Sequence, residues 1–211
     1  GNKTFSENKD NYFYLGMPSN ATTTVSASGN IMSLLDRDNF ENLNSVPSFA
    51  FFKFFNGSSS KNTKLIDASQ LRLPATELSG QCYAYMFNLC SALTAAPTLP
   101  ATALADSCYY SMFNTCSSLT IAPTLPATEL KKYCYSNMFS SCSSLTSMEV
   151  SFTEWPTSTW VKEEDRPSDY YATYNWVSSV AASGTFTCPE DLPHEGSTYF
   201  GTSKIPTDWT V

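Results

Sequence analysis

The sequence LPATELSGQCYAYMFNLCSALTAAPT, at residues 73–98, decides the fold because two similar copies of it follow in succession. LPATALADSCYYSMFNTCSSLTIAPT follows at residues 99–124, and LPATELKKYCYSNMFSSCSSLTSMEV follows at residues 125–150. The period is 26 residues, with no insertion or deletion. A fixed period of about 20 to 50 residues is typical of arrays in which each unit buries its apolar face against its neighbours. The sequence therefore predicts three equivalent units packed side by side.

The apolar residues of each copy recur at a spacing that predicts a short helix. If the first cysteine of a copy is position 0, tyrosine follows at +1, methionine at +4, phenylalanine at +5 and a second cysteine at +8, with leucine at −4. On a helix of about 100° per residue these positions share one arc, and the mostly small or polar residues at +2, +3, +6 and +7 lie opposite. We therefore expect an amphipathic helix of about two to three turns in each copy.

A short extended piece follows each predicted helix and ends at a proline. Leu93 to Pro97 and Leu119 to Pro123 are two such pieces. Proline cannot donate a hydrogen bond to a sheet, so it stops regular structure on both sides. The predicted unit is a short strand, a proline-bounded turn and a short helix. Packed side by side, such units place their strands in a parallel sheet and their helices on the opposite side.

The repeat resembles the BspA-like class of leucine-rich repeats, which is abundant in surface proteins of anaerobic bacteria. The residues that carry the resemblance in the second copy are Leu99, Pro100, Leu104, Cys108, Met112, Phe113, Cys116, Leu119 and Ala122. The resemblance implies a right-handed leucine-rich-repeat solenoid of short parallel strands and short helices, capped at both ends. It also implies an extracellular or cell-surface location and a role in binding or adhesion. Members of the class share no catalytic residues, so the resemblance implies no active site.

The rest of the chain is interpreted as the two ends of the same domain. Residues 1–46 are expected to form an N-terminal leader and cap strand, and residues 151–211 a C-terminal cap. The leucine-rich repeats occupy residues 47–150, as one degenerate copy and three full copies. In the degenerate copy, Phe54-Phe55 stand where Met86-Phe87 stand in the first full copy. Terminal repeats are commonly atypical because they shield the open end of the core.

Three segments outside the full copies have local patterns of their own. The apolar run Ile31–Leu35 predicts a buried strand, and the alternation in Thr185–Cys188 predicts another. Asn175 is expected to cap a helix that begins at Trp176. The acidic segment 190–202 fits no element of a compact cap.

Charge and composition exclude several classes of function. The chain has 211 residues, a net charge of −7 and only 15% charged residues. It therefore has no basic patch that would neutralise the phosphates of a nucleic acid. No apolar run approaches the roughly 18 residues needed to span a membrane. Because the sequence begins with Gly1 and not with methionine, we expect that an export signal has been removed. These features predict a monomeric protein that is secreted or bound to the cell surface.

The seven cysteines form three pairs spaced by eight residues, with Cys188 left over. Eight helical residues span about 12 Å, which exceeds the limit of about 7 Å between the Cα atoms of a disulfide. Bridges between equivalent cysteines of adjacent copies are sterically conceivable. Both cysteine positions nevertheless lie in the apolar arc, where a free thiol packs as a small hydrophobic group. We expect a buried ladder of reduced cysteines, and no cofactor or zinc because the Cys-x-x-Cys spacing is missing.

Two further patterns could suggest a metal site or a catalytic site, but neither site is expected. The segment Asp36–Glu41 has acidic residues in a short loop, but Phe40 stands at its fifth position and glycine is missing from its sixth, so calcium is not expected. His194 follows Cys188 by six residues, yet a cysteine hydrolase needs the two side chains to converge beside an oxyanion hole. The chain also lacks a glycine-rich phosphate loop. We therefore expect that the protein is not an enzyme.

Two rows of surface residues are the candidate binding sites. The rows are Thr94, Thr98, Thr120, Thr124 and Thr146 beside the strands, and Tyr85 and Tyr110 on the outward arc of the predicted helices. Exposed tyrosines with small polar neighbours suit contacts with proteins or sugars. Alternatively, the threonines simply pair within the sheet and the tyrosines are ordinary surface residues. We expect adhesion or protein binding through the repeat surface; the alternatives are a carbohydrate-binding module for host or dietary glycans and a structural spacer.

Overall fold

The computed structural model describes residues 10, 12–15, 22–56, 62–156, 162–165 and 167–211. Its strands are short and pair in parallel: β1 (Val25–Asn30) with β3 (Leu65–Arg72), β2 (Ser45–Val46) with β4 (Glu77–Leu78), and β5 (Ser147–Glu149) with β6 (Thr185–Thr187). The helices of these residues are all 3₁₀ helices, at Ile31–Leu34, Phe40–Asn42, Glu163–Asp165 and Ser197–Tyr199. None of the described helices is long and apolar enough to cross a membrane.

The predicted leucine-rich-repeat solenoid of short strands and short helices is wrong. Where α-helices were expected, the described part of the chain has runs of overlapping turns instead, and it contains no α-helix. These runs are termed the turn segments, and they are residues 48–56, 80–89, 106–115, 132–141 and 168–179. The strands are short parallel pairs and isolated bridges between copies, such as Asp67 with Ala95 and Ile121 with Ser147.

Two alternating sets of backbone hydrogen bonds hold each of the first four turn segments. In the segment 80–89, the amide of Cys82 donates to the carbonyl of Ser79, three residues back, at 3.3 Å. The next amide, that of Tyr83, donates to the carbonyl of Cys108 in the following copy at 3.0 Å. The alternation continues to the end of the segment. Every second amide therefore joins one copy to the next, and this is why an α-helix, which uses all its amides internally, does not form.

One residue in four of the turn segments has a left-handed backbone. In the first full copy these residues are Gln81, Tyr85 and Leu89, with φ of 55°, 58° and 64°. Each is the third residue of a four-residue turn, a position that requires positive φ in a type II turn. The same positions are left-handed in the other two full copies, at Ser107, Ser111, Thr115, Tyr133, Asn137 and Ser141. A period of four residues places positions 0, +1, +4, +5 and +8 on the inside, the same positions that a short helix would bury.

Two further predictions for the ends of the chain are wrong, and one is confirmed. Ile31–Leu34 is a 3₁₀ helix and not a strand, because the side chain of Asn30 accepts a hydrogen bond from the amide of Met32 and caps it. Asn175 has φ of 50° and lies within a turn segment, so it caps no α-helix. The strand predicted at Thr185–Cys188 is present as β6.

Rows of stacked rings fill the core between the turn segments and the extended pieces. The Tyr83 and Tyr109 rings stack at 5.8 Å and the Phe87 and Phe113 rings at 5.3 Å, with interplanar angles of 9° and 2°. Both rows continue into the third copy through Tyr135 and Phe139. In the degenerate copy, Phe51 stacks on Tyr83 and Phe55 on Phe87, and at the other end Trp176 stacks on Tyr135. Equivalent side chains therefore face one another from copy to copy.

The cysteines form two further buried rows beside these rings. All seven described cysteines are free, and the six of the full copies are buried. The thiols of Cys116 and Cys142 donate hydrogen bonds to the carbonyl oxygens of Phe87 and Phe113, at 3.2 Å and 3.1 Å. Burial raises the pKa of the Cys142 thiol to about 12. The thiols therefore remain protonated and pack as small apolar groups, as their positions in the sequence predict.

Candidate binding surfaces

The extended pieces of the first two full copies line an open groove of about 470 Å³. It is termed the threonine–proline groove, because four of the predicted threonines line it together with prolines that recur in both copies. These residues are Thr94, Thr98, Thr120 and Thr124, with Pro97, Pro100, Pro123 and Pro126. The fifth predicted threonine, Thr146, is not part of this lining. The groove therefore brings together most, but not all, of one predicted row.

Some of the threonines also pair within the sheet, as the alternative interpretation expects. The amide and the hydroxyl of Thr94 both donate to the carbonyl of Ile66, each at 2.8 Å. Thr146 makes the same pair of bonds to the carbonyl of Thr120, at 2.9 Å and 3.3 Å. The Thr124 hydroxyl instead donates to the Glu149 carboxylate at 3.0 Å. The hydroxyls of Thr94, Thr124 and Thr146 thus help join adjacent copies.

Ile121 is the most exposed large apolar side chain of the described residues, and it lies in this groove with 64% of its surface accessible. The equivalent residues of the other copies are Ala95 and Ser147, which are smaller. The residues that line the groove include no charged side chain. Sequence reasoning missed Ile121, although its signal was present as a large apolar residue where the aligned copies have alanine and serine.

The second predicted row lies on the turn segments. Tyr85 and Tyr110 are both half-buried, and their ring centroids lie 5.3 Å apart with the rings tilted by 58°. The side-chain amide of Asn137 donates to the Tyr110 hydroxyl at 3.3 Å. Burial, with a contribution from Tyr110 alongside, raises the pKa of Tyr85 to about 12. The hydroxyl of Tyr85 therefore stays neutral at physiological pH and is able to donate or accept hydrogen bonds.

The row continues from Tyr85 towards the N-terminal end of the chain. The ring of Phe52 lies 5.7 Å from that of Tyr85, and the ring of Tyr12 lies 5.3 Å from that of Phe52, both edge to face. The ammonium of Lys53 lies 5.4, 5.3 and 5.5 Å from the ring centroids of Tyr12, Phe52 and Tyr85. No carboxylate of the described residues forms an ion pair with Lys53. These rings and the ammonium are termed the tyrosine–lysine cluster.

Sequence reasoning missed Lys53, Phe52 and Tyr12 as neighbours of Tyr85; Phe52 is buried, and Lys53 is half-buried. The reason is that they belong to the degenerate copy and the segment before it, where no exact repeat gives an alignment. The backbone of Lys53 shows how it corresponds to a residue of the next copy. Lys53 has φ of 55° and its amide donates to the carbonyl of Ala84, so it occupies the position that Tyr85 occupies in the next copy. Equivalent left-handed residues of adjacent copies are neighbours, which brings the ammonium beside the phenol.

The segment considered for calcium and the histidine considered for catalysis both have simple local structures. The Asp36 carboxylate accepts hydrogen bonds from the amides of Asp38 and Asn39, at 3.1 Å and 3.2 Å, and so closes its own turn. The Nδ1 atom of His194 lies 2.7 Å from the carbonyl oxygen of Leu192. Within the described residues, no group of three or more His, Cys, Asp and Glu side chains is arranged to hold a metal ion.

Both candidate surfaces extend across adjacent copies, the threonine–proline groove on the extended pieces and the tyrosine–lysine cluster on the turn segments. Comparisons of the chain with protein-family models, curated proteins and solved structures gave no match.

Proposed function

We propose that this protein is a non-enzymatic binding protein that holds an extended segment of another protein in the threonine–proline groove. The observation that carries the proposal is the exposure of Ile121, 64% of whose side chain is open to solvent in the groove. Burying a large aliphatic side chain contributes about 1.5–3 kcal/mol. If the partner binds with weak to moderate affinity, covering Ile121 alone therefore contributes a substantial part of the binding free energy.

The groove also defines the chemistry of the partner. Its lining has no charged side chain, and the exposed Glu149 beside it accepts a hydrogen bond from the Thr124 hydroxyl, so an acidic segment would lose hydration there without gaining an ion pair. Pro97 and Pro123 give it rigid apolar walls, and the exposed Thr98 is part of its lining. An extended segment with small or branched apolar side chains and a free backbone suits these features, because its apolar groups pack on the prolines while its amides meet hydroxyl oxygens.

Adhesion at a cell surface or in the extracellular space is part of the same proposal. It is supported by the resemblance of the repeat to the BspA-like class and by the small fraction of charged residues, 15% of the chain. A repeated surface suits adhesion because weak contacts on adjacent copies add up when the partner presents several segments.

The test is selection of binders from a random peptide display library against the intact protein, followed by affinity measurement with synthetic peptides. The Ile121→Asp variant places a charge in the groove, and we expect it to weaken peptide binding by tenfold or more, which corresponds to about 1.4 kcal/mol. Val25→Asp is the matched control, since Val25 is also an exposed branched residue, with 37% accessibility, but lies in β1. The proposal fails if no peptide binds saturably, or if Ile121→Asp binds as tightly as the unchanged protein.

A further inference from the structure

We propose that the tyrosine–lysine cluster is a second binding site, specific for a saccharide that carries a carboxylate, such as a uronic or sialic acid residue. The site is separate from the threonine–proline groove and does not depend on it. The proposal starts from the ammonium of Lys53, which lies between 5.3 and 5.5 Å from three aromatic ring centroids. An ammonium over aromatic rings is attracted by their negative faces, which favours this position of the Lys53 side chain.

The cluster offers a positive charge that the protein does not neutralise. No described carboxylate forms an ion pair with Lys53, and the turn segments 48–56 and 80–89 contain no acidic residue. Over the whole chain the net charge is −7, so most of the surface repels anions. The ammonium of Lys53, which no described carboxylate pairs, is therefore the group of this cluster that attracts a carboxylate, although Asp10 lies two residues before Tyr12 in the chain.

The groups beside Lys53 fit a sugar ring. Tyr85 and Tyr110 present neighbouring half-buried rings, and the amide of Asn137 donates to the Tyr110 hydroxyl. A pyranose ring combines apolar C–H faces, which pack on aromatic rings, with hydroxyls that exchange hydrogen bonds with phenol and amide groups. The Tyr85 hydroxyl is neutral at physiological pH, and burial raises its pKa further, to about 12, so it does not repel an acidic sugar. The cluster thus supplies packing, hydrogen bonds and one positive charge in a single row.

The order of the side chains in the row suits an acidic sugar that is linked to a second sugar. Lys53 and Tyr85 occupy equivalent left-handed positions of adjacent copies, and Tyr110 follows in the next copy. A carboxylate placed at Lys53 therefore puts the ring that bears it beside Tyr85 and the adjoining sugar near Tyr110. Ion pairs at a partly exposed site are individually weak, so we expect affinity in the micromolar to millimolar range.

The test is binding of the intact protein to oligogalacturonates and sialyllactose, with galactan oligomers and lactose as their neutral counterparts. We expect saturable binding of at least one acidic saccharide, and binding of its neutral counterpart that is weaker by tenfold or more. Lys53→Gln should remove this preference, and Lys53→Arg should retain it. Tyr85→Ala should weaken both members of a pair, because it removes ring packing and leaves the charge in place.

Two controls keep the outcomes distinct. Tyr174→Ala removes an exposed tyrosine of another turn segment, with 39% accessibility, and should leave binding unchanged. Ile121→Asp should also leave it unchanged, since Ile121 lies in the groove. The inference is overturned if no acidic saccharide binds, if neutral counterparts bind equally well, or if a short polyglutamate peptide binds as tightly as the saccharide. The last result would show attraction of any carboxylate and no recognition of a sugar.

Discussion

The thiol of Cys116 donates a hydrogen bond to the carbonyl oxygen of Phe87 in the preceding copy, across 3.2 Å. The Phe87 carbonyl also accepts the amide of Cys90 at 3.0 Å, so the thiol uses its second lone pair. The contact is repeated one copy later between Cys142 and Phe113. The second cysteine of each copy is thus both an apolar core residue and a polar link to the copy before it.

Replacing this cysteine should therefore destabilise the fold. Cys116→Ala removes the sulfur from a site with no solvent exposure and deletes the hydrogen bond to Phe87. We expect the free energy of unfolding to fall by about 1–3 kcal/mol, measured by urea denaturation. Cys188→Ala is the control, because Cys188 is only partly buried and should change stability by less than about 0.5 kcal/mol. Equal effects of the two substitutions would contradict a structural role for the buried row.

Stability should decrease at alkaline pH because the buried thiols cannot ionise in the folded protein. Burial raises the pKa of Cys90 and Cys142 from the ordinary value of 9.0 to about 12. Below pH 9 the thiols are protonated in both states, and above it the unfolded state loses protons that the folded state keeps. The free energy of unfolding should then fall by up to roughly 1.4 kcal/mol per pH unit for each such thiol, until the folded pKa is reached.

The measurement is the urea midpoint between pH 8 and pH 11, with a reductant present. The Cys90→Ala variant serves as the comparison, since it should show a shallower decline by the contribution of one thiol. A midpoint that does not change over this range would mean that the cysteines ionise equally well in the folded protein.

Gly184 should tolerate no side chain. A Cβ atom added there would press on the carbonyl oxygen of Thr146 and lie 2.7 Å from the ring of Trp209. The same carbonyl accepts the amide of Thr185 at 2.8 Å, so it is not free to move. We expect Gly184→Ala to lower the free energy of unfolding by about 1–3 kcal/mol. Gly80→Ala is the matched control, because its nearest contact would be 3.6 Å away; a Gly184→Ala protein as stable as this control would refute the packing described.

The left-handed residues offer a stabilising substitution. Thr115 has φ of 62°, which is unfavourable for a β-branched residue. Asparagine adopts this conformation more readily, and the backbone bond from residue 115 to the carbonyl of Ser140 is kept. We expect Thr115→Asn to raise the free energy of unfolding by about 0.5–1 kcal/mol. The measurement is thermal unfolding of both variants and the unchanged protein. Thr76→Asn is the control, because Thr76 has no positive φ and its replacement should give no such gain.

Which residues are buried could be predicted from the sequence, but the backbone that buries them could not. Positions such as Cys82, Met86 and Phe87 are fully buried, as the apolar arc of a helix predicts. A period of 3.6 residues and a period of four differ by less than one position over a nine-residue segment, so the pattern of apolar residues does not separate them. The left-handed positions held no glycine that would have signalled turns, since Tyr85 and Leu89 occupy two of them.

The candidate surfaces were predictable to the extent that the repeat was exact. Thr94 and Thr120 were found because a 26-residue shift relates them, and the same shift marks Ile121 as an odd residue among alanine and serine. Lys53 has no such relative in an exact copy. Its neighbour Tyr12 lies 41 residues away in the chain, and their contact depends on how the degenerate copy packs. Contacts of this kind follow from tertiary packing and leave no periodic signal.

The direction of the bonds between turn segments has a consequence for protein synthesis. Amides of one copy donate to carbonyls of the copy that follows it, as Tyr83 does to Cys108 and Tyr109 to Cys134. A ribosome makes the N-terminal copy first, so half of its turn amides have no partner until the next copy has left the exit tunnel. Each copy is therefore completed by its successor: the segment 168–179 supplies carbonyls such as that of Ala172 to Tyr135, and Thr202 in turn supplies one to the amide of Val177.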